Sequence, residues 1–281
     1  MHFFRPQIIA AASIAAAAAC ASGRATPPPE PAPEPAPAAV VAPPVDTVID
    51  TPAELVRAMR TRYDGKWYRT LSYFQRNTIP LRSGSHATSE WTGYQSVPGR
   101  LRVDFLPLAG KSGLLYLDGR QSTFSSGRVV SQSTSVDPIV LFGADVYAIE
   151  PDSTLARLDS LGVARTLRED TWQGRRVYVL GAAAGDTTAN QLWVDAERLL
   201  LVRVIRAQGI GATRVLSETR LTYADVDGHP VPKEAVILRG GREALRGEYT
   251  RVRVNPDLPA ALFDPTRWVE TQQPVPSAAS R

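Results

Sequence analysis

Arg100-Leu101-Arg102-Val103-Asp104-Phe105 alternates charged and apolar residues without interruption. A period of two belongs to a strand, whose successive side chains leave on opposite faces, so Leu101, Val103 and Phe105 are expected to share a buried face. Arg100, Arg102 and Asp104 are then expected to point at water. The alternation extends outward in both directions. Upstream, Leu71, Tyr73 and Gln75 alternate with Ser72, Phe74 and Arg76, and a further strand is read at 89–95. Downstream, strands are read at 113–118, 121–125 and 127–132 and, after a break, at 163–169, 175–181, 190–195, 199–207, 213–224, 231–239 and 243–254. Turn residues punctuate the later ones: Gly185-Asp186, Asp195-Ala196-Glu197, Gln208-Gly209, Asp227-Gly228 and Gly240-Gly241.

Helical spacing occurs in two places. Thr51-Pro52-Ala53-Glu54 has the form of a capping box, and Leu55, Val56, Met59 and Tyr63 then fall on one helical face up to Asp64-Gly65. The break between the two runs of strands is itself helical. Asp137-Pro138 opens it with Ile139, Val140 and Phe142 apolar, and 151–161 carries Leu155, Leu158 and Leu161 at helical spacing. Strands that recur about every ten to twelve residues form antiparallel meanders. The expected class is mainly β (α+β), a curled sheet or incomplete barrel of roughly ten strands around a helix.

A chain of 281 residues, 43% of them hydrophobic, can bury a sizeable core. Its formal charge is only +4, and Arg175, Arg176, Arg203, Arg206 and Arg251, like Arg100 and Arg102, are strewn along strands. That distribution reads as a solvated strand face, with no nucleic acid expected as partner. Residues 1–19 hold Arg5, the apolar stretch Ile8-Ile9-Ala10-Ala11-Ala12-Ser13-Ile14 and a run of alanines, which is the build of a secretory signal peptide. The single cysteine, Cys20, follows at once, so no disulfide framework exists. A cysteine after Ala17-Ala18-Ala19 resembles the lipobox of bacterial lipoproteins. That resemblance implies an exported protein with Cys20 as first mature residue, acylated (as with palmitate) on thiol and amine and anchored to membrane, since several chains hold where one does not. Ala21 and Ser22, in place of an aspartate directly after the cysteine, are compatible with the outer membrane. From Ala21 to Pro44 nine prolines among Ala and Glu favour an extended tether, up to about 75 Å at polyproline rise. The organisation expected is signal 1–19, lipidated tether 20–50, folded domain 51–268 and disordered tail 269–281.

Catalytic constellations are not evident. His86 and His229 stand alone in loops without ligand-spaced carboxylates, no Gly-x-Ser-x-Gly elbow occurs, and Gly209-Ile210-Gly211 lacks the lysine and helix of a phosphate loop. Asp104, Asp118 and Glu218 read as the polar face of strands and not as a glycosidase pair. No enzyme activity, cofactor or metal is expected.

Three segments carry a family resemblance. They are Leu192-Trp193-Val194-Asp195 with the strand Leu199-Leu200-Leu201-Val202-Arg203-Val204, then Tyr223-Ala224-Asp225-Val226-Asp227-Gly228-His229-Pro230-Val231-Pro232, and the close Val254-Asn255-Pro256-Asp257-Leu258-Pro259-Ala260-Ala261-Leu262-Phe263-Asp264-Pro265. Their order resembles the periplasmic lipoprotein-sorting superfamily, which includes the LolA carrier, the LolB receptor and the sensor RseB. The resemblance covers most of 51–268. It implies an unclosed eleven-stranded barrel with helices at its open side and a hydrophobic cavity for acyl chains of lipids or lipoproteins. On that reading the protein takes part in lipoprotein localisation, facing the periplasm. The alternative is a non-catalytic sensor or scaffold for a periplasmic protein partner. The candidate cavity lining is Trp91, Leu101, Val103, Phe105, Leu115, Leu117, Val177, Val179, Leu192, Val194, Leu200, Val202 and Val204. Which face of each strand looks inward turns on a one-residue decision.

Overall fold

The computed structural model describes residues 49–208 and 215–273. Every described residue belongs to one compact unit, Pro44–Arg281. Cys20, the signal, the tether up to residue 48 and the tail from residue 274 lie outside the described residues.

Helix α1 (Pro52–Arg62) starts at the expected capping box. Thr51 Oγ1 accepts from the Glu54 amide at 3.2 Å, and the Glu54 carboxylate accepts from the Thr51 amide at 2.8 Å. Strands β1 (Thr70–Pro80), β2 (His86–Ser96), β3 (Arg100–Phe105), β4 (Ser112–Leu117), β5 (Arg120–Ser125) and β6 (Arg128–Thr134) form a first meander. The helical insertion follows as α2 (Pro138–Gly143), a 3-10 turn (Asp145–Tyr147) and α3 (Pro151–Leu158). A second meander runs through β7 (Leu167–Trp172), β8 (Arg175–Leu180), β9 (Gln191–Asp195), β10 (Leu201–Gln208), β11 (Val215–Val226), β12 (His229–Arg239) and β13 (Arg242–Val254). Because β13 pairs with β1, the two meanders merge into one thirteen-stranded antiparallel sheet. Its edges, β6 and β7, do not pair with each other, so the barrel is unclosed. The count exceeds eleven because every alternating stretch becomes a strand of its own. The turn Gly240-Gly241 between β12 and β13 has both residues at positive φ, which fits the right-handed twist of the hairpin it joins.

The helices cover one face, here called inner. α1 packs on α3 and on the 3-10 turn, and α2 packs on β10. Leu55, Val56 and Met59 of α1, Leu141 and Phe142 of α2 and Leu158 of α3 meet Leu71, Tyr178, Leu180, Leu192, Val194, Leu201 and Val204 in the main core. At about 1.5–3 kcal/mol for each such side chain buried, this cluster is the largest apolar contribution among the clusters of the described residues.

Part of the outer face is also covered, and this corrects the reading of β3. Arg102 and Asp104 have side chains 0% exposed and do not face water. The closing segment, with 3-10 turns Ala260–Phe263 and Pro265–Arg267, lies across β2–β5 and packs Leu262, Phe263 and Trp268 on Tyr94, Leu115 and Phe124. Arg102 satisfies all five of its N–H donors there. Two go to the Asp104 carboxylate at 2.9 and 3.0 Å, one to the Trp268 carbonyl at 2.7 Å, one to the Leu262 carbonyl at 3.0 Å and one to Thr271 Oγ1 at 2.6 Å. The Trp268 ring lies 4.1 Å from the guanidinium. A second outer cluster joins Val177, Val179, Ala182 and Trp193, with Trp172 and Val202 beside it. Arg203, also read as solvated, is partly buried over the Trp193 ring at 4.6 Å and paired with Glu218 at 2.8 Å. Arg100, Arg175, Arg176 and Arg251 are exposed as expected.

Candidate functional site

The sheet separates the thirteen candidate lining residues into three groups. Leu192, Val194, Leu200 and Val204 lie in the helix-packed core. Leu115 and Leu117 share the outer face with Arg102 and Arg100, which are their register partners, and Val177, Val179 and Val202 belong to the other outer cluster. One cavity therefore cannot be lined by all of them. Trp91, Leu101, Val103 and Phe105 remain together on the inner face of β2 and β3.

That last group forms a distinct site. Trp91 pairs with Phe105, Gly93 with Val103 and Gln95 with Leu101, and on β4 Leu114 stands opposite Val103. The Trp91 and Phe105 rings touch with centroids 5.1 Å apart. Val103 is buried yet lies outside the helix-packed core, while Trp91, Leu101, Phe105 and Leu114 are only half-buried. The result is a half-buried apolar row, here called the trough, on the inner face of β2–β4 and outside the helix-packed core. Leu114 was not anticipated, because Leu114-Leu115-Tyr116-Leu117 is apolar throughout and gives no parity.

A polar and aromatic partition divides trough from core. The Tyr73 ring lies flat on Gly93, where a Cβ would come within 2.0 Å of it, and meets Tyr249 at 4.9 Å. One step along β1, Gln75 donates to Asn77 Oδ1 at 2.6 Å, and both lean on Gly247. A glycine inside a strand marks such a close approach, and that was the available signal in the sequence. Behind the partition, phenols pin the start of β10. Tyr63, Tyr147 and Tyr223 donate to the carbonyls of Arg198, Leu199 and Leu201 at 2.7, 2.9 and 2.7 Å. Burial pushes the phenols of Tyr68, Tyr73, Tyr147 and Tyr223 upward and that of Tyr249 up to about 12, so all stay neutral donors. Asp145 is the buried carboxylate of the helical cover; it accepts from the Gly99 amide at 2.9 Å, and burial raises it to about 6.

The site thus offers apolar surface, ring faces and neutral hydrogen-bond groups, which suits sheltering an apolar body. Among the described residues no group of three or more His, Cys, Asp or Glu is placed to hold a metal, and no helix is long and apolar enough to cross a membrane.

Comparison with solved structures shows the fold. A LolA superfamily protein from Nitrosomonas europaea superposes with a TM-score of 0.50 at 14% identity, over 74% of this chain and 97% of that one. A domain named provisionally as an outer membrane lipoprotein-sorting protein, from Vibrio parahaemolyticus, gives 0.52 at 12% identity over 77% and 97%. A DUF1329 family protein from Desulfovibrio piger gives 0.51 at 15% identity over 76% and 95%. No family model and no curated protein sequence matches the chain. The fold is LolA-like.

Proposed function

We propose that this LolA-like half-barrel is a cell-envelope protein that binds acyl chains of lipids or lipoproteins in the trough of β2–β4, facing the periplasm and acting without covalent chemistry. The observation that carries the reading is the half-buried apolar row Trp91, Leu101, Phe105 and Leu114, contiguous across β2–β4 on the inner face and outside the helix-packed core. Contiguous apolar surface of this kind is where ligand-binding sites are built.

Magnitudes favour a transient hold. Each methylene taken from water contributes about 0.8 kcal/mol, so ten of them give about 8 kcal/mol. Association costs on the order of 4–15 kcal/mol. Such a balance suits a chain that is received and handed on. The sequence of residues 17–22 supports a lipid anchor at Cys20, with the proline-rich stretch holding the domain off the membrane and the outer membrane as its seat.

Residues 46–281, purified from cell envelopes without detergent, provide the test by native mass spectrometry. We expect a co-purifying phospholipid or acylated peptide, and uptake of a fluorescent fatty acid that falls at least tenfold in Leu101→Glu and Trp91→Glu. An apo mass with no fatty-acid uptake would sink the acyl-chain reading and leave a protein-binding scaffold in its place.

A further inference from the structure

A cavity of about 160 Å³ lies in the wall of the half-barrel, where β10 and β11 part company. Their ladder runs from Gln208–Val215 to Arg203–Arg220 and stops. Beyond it β10 pairs only with β9, while β11 continues to Val226 against β12. The Tyr223 hydroxyl spans the gap to the Leu201 carbonyl at 2.7 Å, and Arg198 closes its rim on Asp225 at 2.8 Å. Trp172, Val177 and Val202 wall it from the outer side and Leu200 and Tyr223 from the inner side. This lies on the opposite face from the trough and on other strands.

The chemistry of the walls selects the guest. The cleft is open to solvent and mixes apolar walls with the polar groups of Gln173, Arg175, Asp195, Arg198 and Thr222. Its volume matches that of a cavity that holds one benzene ring and is far too small for an acyl chain. The rim charges are compensated locally. Asp195 accepts from Arg175 at 2.9 Å through one oxygen and from the amides of Glu197 and Arg198 at 3.1 and 2.7 Å through the other. A net-charged guest would find no unpaired counter-charge. Arg175 and Arg198 form these ion pairs through Nη2 and so keep further N–H groups for an acceptor on the guest.

We propose that this cleft binds one neutral aromatic ring bearing a hydroxyl, of phenol or cresol size, either free or as the tyrosine side chain of a partner. The ring stacks on Trp172 between Val177 and Val202, and its hydroxyl accepts from the rim guanidinium groups.

The mature chain is titrated calorimetrically with p-cresol, with phenylacetate and with the peptide acetyl-Ala-Tyr-Ala-amide. p-Cresol is expected to saturate at one site with a dissociation constant on the order of 1 mM. Phenylacetate is expected to bind at least tenfold more weakly. Thr222→Trp fills the cleft from an exposed position on a strand that tolerates tryptophan, so it is expected to abolish p-cresol binding without changing the melting temperature. Peptide binding as tight as that of p-cresol assigns the guest to a partner's side chain, and p-cresol binding alone assigns it to a free small molecule; both uphold the site. Failure of p-cresol to saturate tenfold above that concentration overturns it, as does equal binding to a folded Thr222→Trp. Fatty-acid uptake is read separately in the trough variants, so either reading can fall without the other.

Discussion

Arg102 and its five hydrogen bonds hold the closing segment to the sheet. Removing one partner of a fully buried pair strands the other charge, so Arg102→Met should lower the unfolding free energy by about 3–5 kcal/mol in urea titrations. The double variant Arg102→Met, Asp104→Leu should recover much of that loss, because the stranded carboxylate is gone too. Asp145 works in the opposite sense. Its carboxyl titrates near 6 when folded against an ordinary 3.8, so the charged form is disfavoured in the fold. Stability from this group is therefore highest below pH 4 and falls as pH rises through about 6. Asp145→Asn keeps an acceptor for the Gly99 amide and should raise stability at pH 7.5 by up to about 3 kcal/mol, with the gain vanishing near pH 4 in parallel melts. A gain that is equal at both pH values would show that ionisation is not its cause.

At the scale of elements, β1 and β2 meet with no space between a ring and a backbone. Tyr73 rests on Gly93 so closely that any Cβ must displace it. Gly93→Val should therefore cost about 1–3 kcal/mol by overpacking, although valine is the better strand former. Because the ring forms the partition beside the trough, the same variant should also alter fatty-acid uptake. A variant with wild-type stability would mean that Tyr73 has another place to go. The capping box of α1 shows the contrary case, a local device whose geometry follows from Thr51 to Glu54 alone. The two free edges differ as well. β7 presents Arg168, Glu169 and Asp170, charges that discourage strand addition, while β6 exposes Val129 and Val130.

The whole molecule depends on contacts distant in sequence. β1 pairs with β13, and the closing segment accepts hydrogen bonds from Arg102, which lies 160 residues before Leu262 and 166 before Trp268. Ending the chain at residue 257 would uncover Tyr94, Leu115 and Phe124 and leave Arg102 with Asp104 alone. We expect that truncation to lose cooperative thermal unfolding and to bind a hydrophobic dye; a sharp transition near the intact protein's would refute the importance given to the segment. The alternation along each strand, the capping box and the turn residues are local properties, and they determined the strands, the helix starts and the mainly β, unclosed class. Trp91, Leu101, Val103 and Phe105 shared a face by that same period of two. Side, however, is a relation between strands and what lies over them. Period two says that Arg102 and Val103 face opposite ways, but only the tertiary structure decided that Arg102 is sealed beneath Trp268 and that the face with Val103 stays partly open. Leu115 and Val177 read as lining for the same reason, since an apolar residue is equally at home under a helix, under a closing strap or beside a ligand.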